Sequence, residues 1–170
     1  MITRSLAGIA VATGILALTP ITVSTAAQAA TGSTAGASGA QAAAPGQWGP
    51  YYASGKKAKT LGSLTAAPKD DPSQPAPYVK VTGSVVSLTR QSSTCGWALF
   101  RVSYFDSANQ PHLAYRNYRS CSYGTTQKFA FDAKNVGEVE LKVCAEAKAS
   151  KPSVNCLYGG VWKPLYTYYQ

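Results

Sequence analysis

From Val139 to Glu146 every second residue is apolar: Val139, Leu141, Val143 and Ala145 alternate with Glu140, Lys142, Cys144 and Glu146. A period of two places the apolar set on one face of an extended strand, which a helix with its period of about 3.6 cannot do. The same alternation recurs upstream. Val79 and Val81 alternate with Tyr78 and Lys80, and across Gly83-Ser84 the phase shifts to Val86 and Leu88, which predicts a bulge or a break between two strands. Ala98, Phe100, Val102 and Tyr104 alternate with Leu99, Arg101 and Ser103. After the turn-forming run Asp106-Ser107-Ala108-Asn109-Gln110-Pro111, a further strand carries Leu113, Tyr115, Asn117 and Arg119 on one side and Ala114, Arg116, Tyr118 and Ser120 on the other. Phe129 and Phe131 predict a short strand ending in a turn over Asp132 to Gly137. The segment from Cys156 to Tyr169 predicts a last strand, confined to a sheet edge by Pro164.

Only 14% of the residues are charged, too few to solvate the outer faces of a helical bundle, whereas eleven Tyr, fifteen Gly and ten Pro favour strands and turns. A chain of 170 residues allows one ordinary domain. Six or seven short strands, spaced about ten residues apart with turn chemistry between them, predict a small antiparallel β-sandwich, immunoglobulin-like, with a small β-barrel as the alternative.

The N-terminus has the form of an export signal. Arg4 supplies the positive start, Leu6 to Leu18 an apolar run, Pro20 a break, and Ala27-Gln28-Ala29 the small-x-small pattern for cleavage after Ala29. The Ala-, Gly- and Thr-rich leader looks bacterial. No second apolar segment of spanning length follows, so no stable membrane insertion is expected after cleavage and the protein is expected to be secreted, extracellular or cell-wall associated. Export places Cys95, Cys121, Cys144 and Cys156 in an oxidising compartment, where they pair. Three connectivities exist. Pairing of neighbours, Cys95 with Cys121 and Cys144 with Cys156, is favoured because each pair flanks a hairpin or adjacent strands. Spacings of 26, 23 and 12 and a single His lack the pattern of a zinc site, so neither metal nor cofactor is expected. Along the chain these signals predict a signal peptide over 1–29 and a disordered Ala/Gly/Ser-rich spacer over 30–47. A transitional segment with a Pro-rich linker follows over 48–77, then a disulfide-stapled domain over 78–170.

Groups for catalysis are scarce. His112 is the only imidazole; Ser103 and Asp106 stand near it in sequence, but no nucleophile-elbow motif surrounds the serine, and an exposed loop His is the plainer reading. Glu138 and Glu140 share one face of a strand and point in parallel, the pattern of a solvated face rather than of two carboxyls flanking a glycosidic bond. Sixteen Lys and Arg against seven Asp and Glu give a net charge of +9, and basic and aromatic residues are the remaining enrichment. Arg101, Arg116, Tyr118 and Arg119 fall on neighbouring strands, and Trp162, Tyr166 and Tyr168 crowd the C-terminus. Guanidinium groups pair with phosphate or carboxylate, and planar rings stack on sugars, so these seven are the candidate binding residues. Rings covering a thin core while the cations keep the domain soluble would give the same pattern.

The expected function is therefore a secreted, non-catalytic binding module for an anionic cell-wall polymer, a glycan or an extracellular protein, with no catalytic residue. Nucleic acid is not an expected partner, because neither the compartment nor any motif fits it. The alternatives are a proteinaceous inhibitor of an extracellular hydrolase, presenting the loop from Ala147 to Asn155 with Lys148 or Lys151, and a small secreted hydrolase or toxin.

Overall fold

The computed structural model describes residues Gly46 to Tyr169; the predicted signal peptide and the spacer up to residue 45 lie outside them. The strands are β1 Gly46–Tyr52, β2 Ala58–Ala66, β3 Ala76–Ser87, β4 Thr94–Phe105, β5 Pro111–Ser120, β6 Thr126–Ala147 and β7 Lys163–Thr167. A single 3-10 turn at Ser54–Lys56 and a five-residue helix, α1 Val154–Tyr158, complete the elements. All seven strands are antiparallel to their neighbours in one sheet of order β1-β2-β3-β6-β4-β5, with β7 also on β6, and the sheet is not closed.

Two layers arise because β6 serves both. Its residues up to Val136 pair with β3, and from Val136 onward it pairs with β4; Val136 has partners on both sides, Ala76 and Tyr104. The expected turn over Asp132 to Gly137 is instead a bend within one 22-residue strand. Alternation continues through it, Phe131 and Ala133 inward against Asp132 and Lys134 outward, so nothing ends the ladder. Asn135 with φ of 50° supplies the bend, and Gly137 admits it, since a Cβ there would lie 3.0 Å from the Phe105 ring. The first layer is β1, β2, β3 and the first half of β6; the second is β5, β4, the second half of β6, and β7.

The core lies between them. Phe100 of β4 meets Phe131 at 5.0 Å, Phe129 at 5.3 Å, Trp48 at 6.0 Å and Tyr118 at 6.2 Å, all edge-on, and Val79, Val81, Val85, Val102, Val139 and Leu141 surround them. Trp48 is one of its anchors, so the ordered body includes residues before Tyr78, and β1 and β2 are two strands of its sheet. The inward residues of β2 conceal this in the sequence, being mostly small: Ala58, Thr60, Gly62 and Leu64. Small residues are needed there, because a Cβ on Gly62 would come within 2.4 Å of the Trp48 indole and 2.0 Å of the Thr82 carbonyl. Only the stretch between β2 and β3 remains as the predicted Pro-rich linker. No break divides β3 at Gly83-Ser84; Val79, Val81, Gly83 and Val85 form one inward row, with Gly83 leaving space for Trp48 and Phe129.

Both disulfides join the expected neighbours, Cys95 to Cys121 and Cys144 to Cys156. They brace a second, smaller core on the outer side of β4, where Cys95, Trp97, Leu99 and Cys156 are buried with Leu157 and Trp162 packed against them. This explains why β4 is buried on both faces. The predicted final strand from Cys156 is replaced by α1 and the short β7, because the Cys144 bridge and the Ser153 N-cap fold that segment back over β4.

Candidate functional site

The seven residues expected to form one binding face are divided among three places. Arg101, Arg119 and Trp162 share the outer face of the second layer. Register places Trp97, Leu99, Arg101 and Ser103 of β4 beside Arg119, Asn117, Tyr115 and Leu113 of β5, and beside Cys144, Lys142, Glu140 and Glu138 of β6. Trp162 lies over this grid, 5.0 Å from the Arg101 guanidinium and 4.6 Å from Lys142 Nζ, with the Tyr115 ring at 6.4 Å. Arg116 and Tyr118 point the other way, toward the space between the layers, where Tyr118 stacks on Phe129 at 4.6 Å. Tyr166 packs against the main core with its hydroxyl buried, and Tyr168 sits at the far end against Phe105, its carbonyl accepting from Lys69 Nζ at 2.5 Å.

Most of the charge on the outer face of the second layer is already engaged. Arg101 Nε donates to Glu140 at 2.5 Å, which raises the arginine pKa further above its ordinary value. Lys142 is buried and donates to the carbonyls of Leu157 at 3.1 Å and Gly159 at 2.6 Å, tying down the end of α1; burial and then the nearby Arg101 lower its pKa. Glu138 is pushed above the ordinary carboxylate range by burial first and by Glu140 second. A carboxyl with a raised folded pKa favours folding while protonated and loses that contribution as pH rises through the interval between its unfolded and folded values. Glu138→Gln should therefore melt with the parent in acid below the ordinary glutamate pKa and increasingly above it toward neutrality, as thermal melts across pH will show.

A different surface carries uncommitted charge. On the outer face of the first layer the register aligns Lys59, Leu61, Ser63 and Thr65 of β2 with Val86, Ser84, Thr82 and Lys80 of β3. It aligns the latter four in turn with Thr126, Lys128, Ala130 and Asp132 of β6, and Tyr78 with Lys134. Lys80, Lys128 and Lys134 are exposed and Lys59 is half-buried. The carboxylate on this face, Asp132, accepts from the Tyr78 hydroxyl at 2.5 Å. Among the described residues the ion pairs are Arg101–Glu140 and Asp106–His112, so none of the four lysines has a carboxylate within 4.0 Å. Lys128 and Lys134, six residues apart along one strand, are separated by ~20 Å, with Lys80 on the adjacent strand between them. Ser63 and Thr82 hydroxyls bond each other at 2.9 Å, with Thr65, Ser84 and Thr126 on the same face. The sequence signal for this face was the alternation itself: Lys128-x-Ala130-x-Asp132-x-Lys134 and Tyr78-x-Lys80-x-Thr82-x-Ser84 are outward sets. Reading residues 132–137 as a turn and 48–66 as transitional dispersed it.

His112 Nε2 lies 2.8 Å from Asp106 Oδ2 and the ring stacks on Tyr104 at 5.5 Å. Ser103 points to the opposite face of β4, paired with Leu113, so Ser103, His112 and Asp106 are not assembled as a unit. Glu138 and Glu140 share a face as predicted, with Glu140 held by Arg101. Among the described residues no cluster of His, Cys, Asp and Glu has the form of a metal site. No protein-family model, no curated protein and no solved structure matches this chain.

Proposed function

We propose that this chain is an exported, non-catalytic binding module whose ligand is an anionic polymer of the cell envelope, engaged by the lysine face of the first layer. The observation that carries this reading is the grouping of Lys59, Lys80, Lys128 and Lys134 on one face where, among the described residues, Asp132 opposite Lys80 is the single carboxylate, a surplus of positive charge. Ammonium groups in excess of carboxylates on one sheet face create a positive field toward solvent, and the surrounding hydroxyls offer hydrogen bonds to phosphate or carboxylate oxygens without imposing one ligand shape. Two disulfides support an oxidising compartment, and among the described residues no helix is long and apolar enough to cross a membrane. Retention on isolated cell wall or on a teichoic-type polymer should fall steeply as salt rises, since exposed charges are screened over about 10 Å at 0.1 M ionic strength. Lys80→Glu combined with Lys128→Glu and Lys134→Glu should abolish the salt-sensitive retention, and Arg119→Ala should leave it. Equal retention of the triple variant would refute the reading.

The inhibitor reading keeps one specific support. The loop after β6 is closed by Cys144–Cys156 and clasped by Glu146, which accepts from the Ser153 backbone N–H at 2.8 Å and from its hydroxyl, while Lys148 and Lys151 remain exposed. A loop held rigid before contact loses little entropy on entering an active site. A panel of extracellular proteases assayed with the parent and with Lys151→Ala distinguishes this from polymer binding.

A further inference from the structure

An open sheet leaves strand edges whose backbone N–H and C=O groups face solvent, and folded proteins blunt such edges with proline, bulges, lysine or brevity. Three edges here are blunted. β1 contains Pro50 and its register shifts between Trp48 and Tyr51; β7 has five residues, includes Pro164 and also shifts register. The edge of β6 before Val136 that lies away from β3 is flanked by Lys128, Asp132 and Lys134. β5 differs from all of these. It is ten residues long, pairs with β4 in unbroken register from Pro111 to Ser120, has no bulge and no proline after its first residue, and carries as its charges Arg116 and Arg119, which deter a basic strand but not an acidic one. Its side chains are largely exposed, Leu113 at 59% and Tyr115 at 41%.

The charge along β5 has one sign. Arg116 and Arg119 are exposed and no carboxylate occurs between Pro111 and Ser120; among the described residues the Arg116 guanidinium bonds only the neighbouring Tyr115 carbonyl, at 3.1 Å, and Arg119 lies 5.6 Å from the centre of the Trp97 ring. Beside Arg116 the seam between the layers opens as a cleft of about 290 Å³ with an apolar floor of Val102, Ala114 and Phe131, edged by Tyr104, Lys134 and Asp132, whose carboxylate accepts from Tyr78. We propose that β5 is a docking edge for an extended acidic segment of a partner protein. That segment adds as a further strand, with backbone bonds supplying affinity and two carboxylates three residues apart, one on each face, meeting Arg116 and Arg119. A second copy of this chain is disfavoured, because joining β5 to β5 adds a guanidinium group to each face of the ladder with no carboxylate on either β5 to oppose it. A polysaccharide has no alternating donors and acceptors to continue the ladder, so this edge and the lysine face call for different ligands, with Lys134 bordering both.

The test uses the folded protein and three capped peptides: a Val- and Thr-rich strand with two Glu three residues apart, the same peptide N-methylated at every second residue, and the same sequence with Lys in place of Glu. The Glu peptide should bind and slow hydrogen exchange of the β5 amides, whereas the N-methylated and Lys peptides should not. Arg116→Glu with Arg119→Glu should weaken binding by about tenfold or more, as expected when charge-assisted pairs are lost. The milder pair Arg116→Ala and Arg119→Ala should shift it in the same direction, and Lys80→Glu should leave it unchanged. Failure of the Glu peptide to bind, equal binding of the N-methylated peptide, indifference to both arginine pairs, or protection of a strand other than β5 would each overturn the proposal.

Discussion

A chain truncated to start at Tyr78 is expected to lose its cooperative melting transition. Removing β1 and β2 strips the nine-residue ladder from Ala58 to Ala66 off β3 and uncovers Val79, Val81 and Val85. It also removes Trp48, which is 7% exposed and touches Phe100 and Phe129. Trp48→Ala alone should cost about 3–5 kcal/mol, the range for emptying an aromatic site in a core that cannot collapse around it. Against a total stability of about 5–15 kcal/mol, the loss of two whole strands exceeds what a small domain holds in reserve. Denaturant unfolding of full-length, Trp48→Ala and truncated chains checks this; a truncated chain melting like the parent would place β1 and β2 outside the fold.

Loss of the disulfides should be nearly as damaging. In the chain-entropy model, loops with separations of 26 and 12 residues contribute about 3.5 and 3 kcal/mol respectively. Cys95→Ala with Cys121→Ala should cost more than its entropic share, because Cys95 is fully buried beside Trp97 and Leu99 and its removal opens space in the thinner of the two cores. Cys144→Ala with Cys156→Ala should free α1 and so loosen Trp162 from the outer face of the second layer. Urea midpoints of the two double variants should both fall, the first further than the second. Midpoints equal to the parent's would show that side-chain packing alone holds these segments.

The strands whose alternation is undisturbed were legible in the sequence. β4, β5 and the second half of β6 follow their apolar period, and both cysteine pairs are the expected ones, although Cys156 stands on α1 rather than on a strand. What escaped had a physical cause at particular residues. Gly62 and Gly83 occupy inward positions because the Trp48 indole fills the space above them, so β2 and β3 show no bulky residue where the period requires one. Asn135 and Gly137 look like a turn and serve as a bend, since the β6 ladder has partners on both sides of Val136. The candidate binding residues depended on which way each side chain faces, and on that point sequence proximity misled: Arg116 and Arg119 lie three apart on one strand and so point to opposite faces. Likewise the partners that occupy Arg101 and Lys142 come from β6 and from the end of α1, 39 and up to 17 residues away.

The lysine face is the center of the functional account, and titration of labelled protein with inorganic polyphosphate, followed by amide chemical shifts, tests it most directly. Shifts should concentrate on the outward residues of the first layer, Thr65, Lys80, Thr82, Lys128 and Lys134, and should fade as salt is raised. Shifts confined instead to Tyr115, Arg119 and Trp162, or binding indifferent to salt, would contradict it.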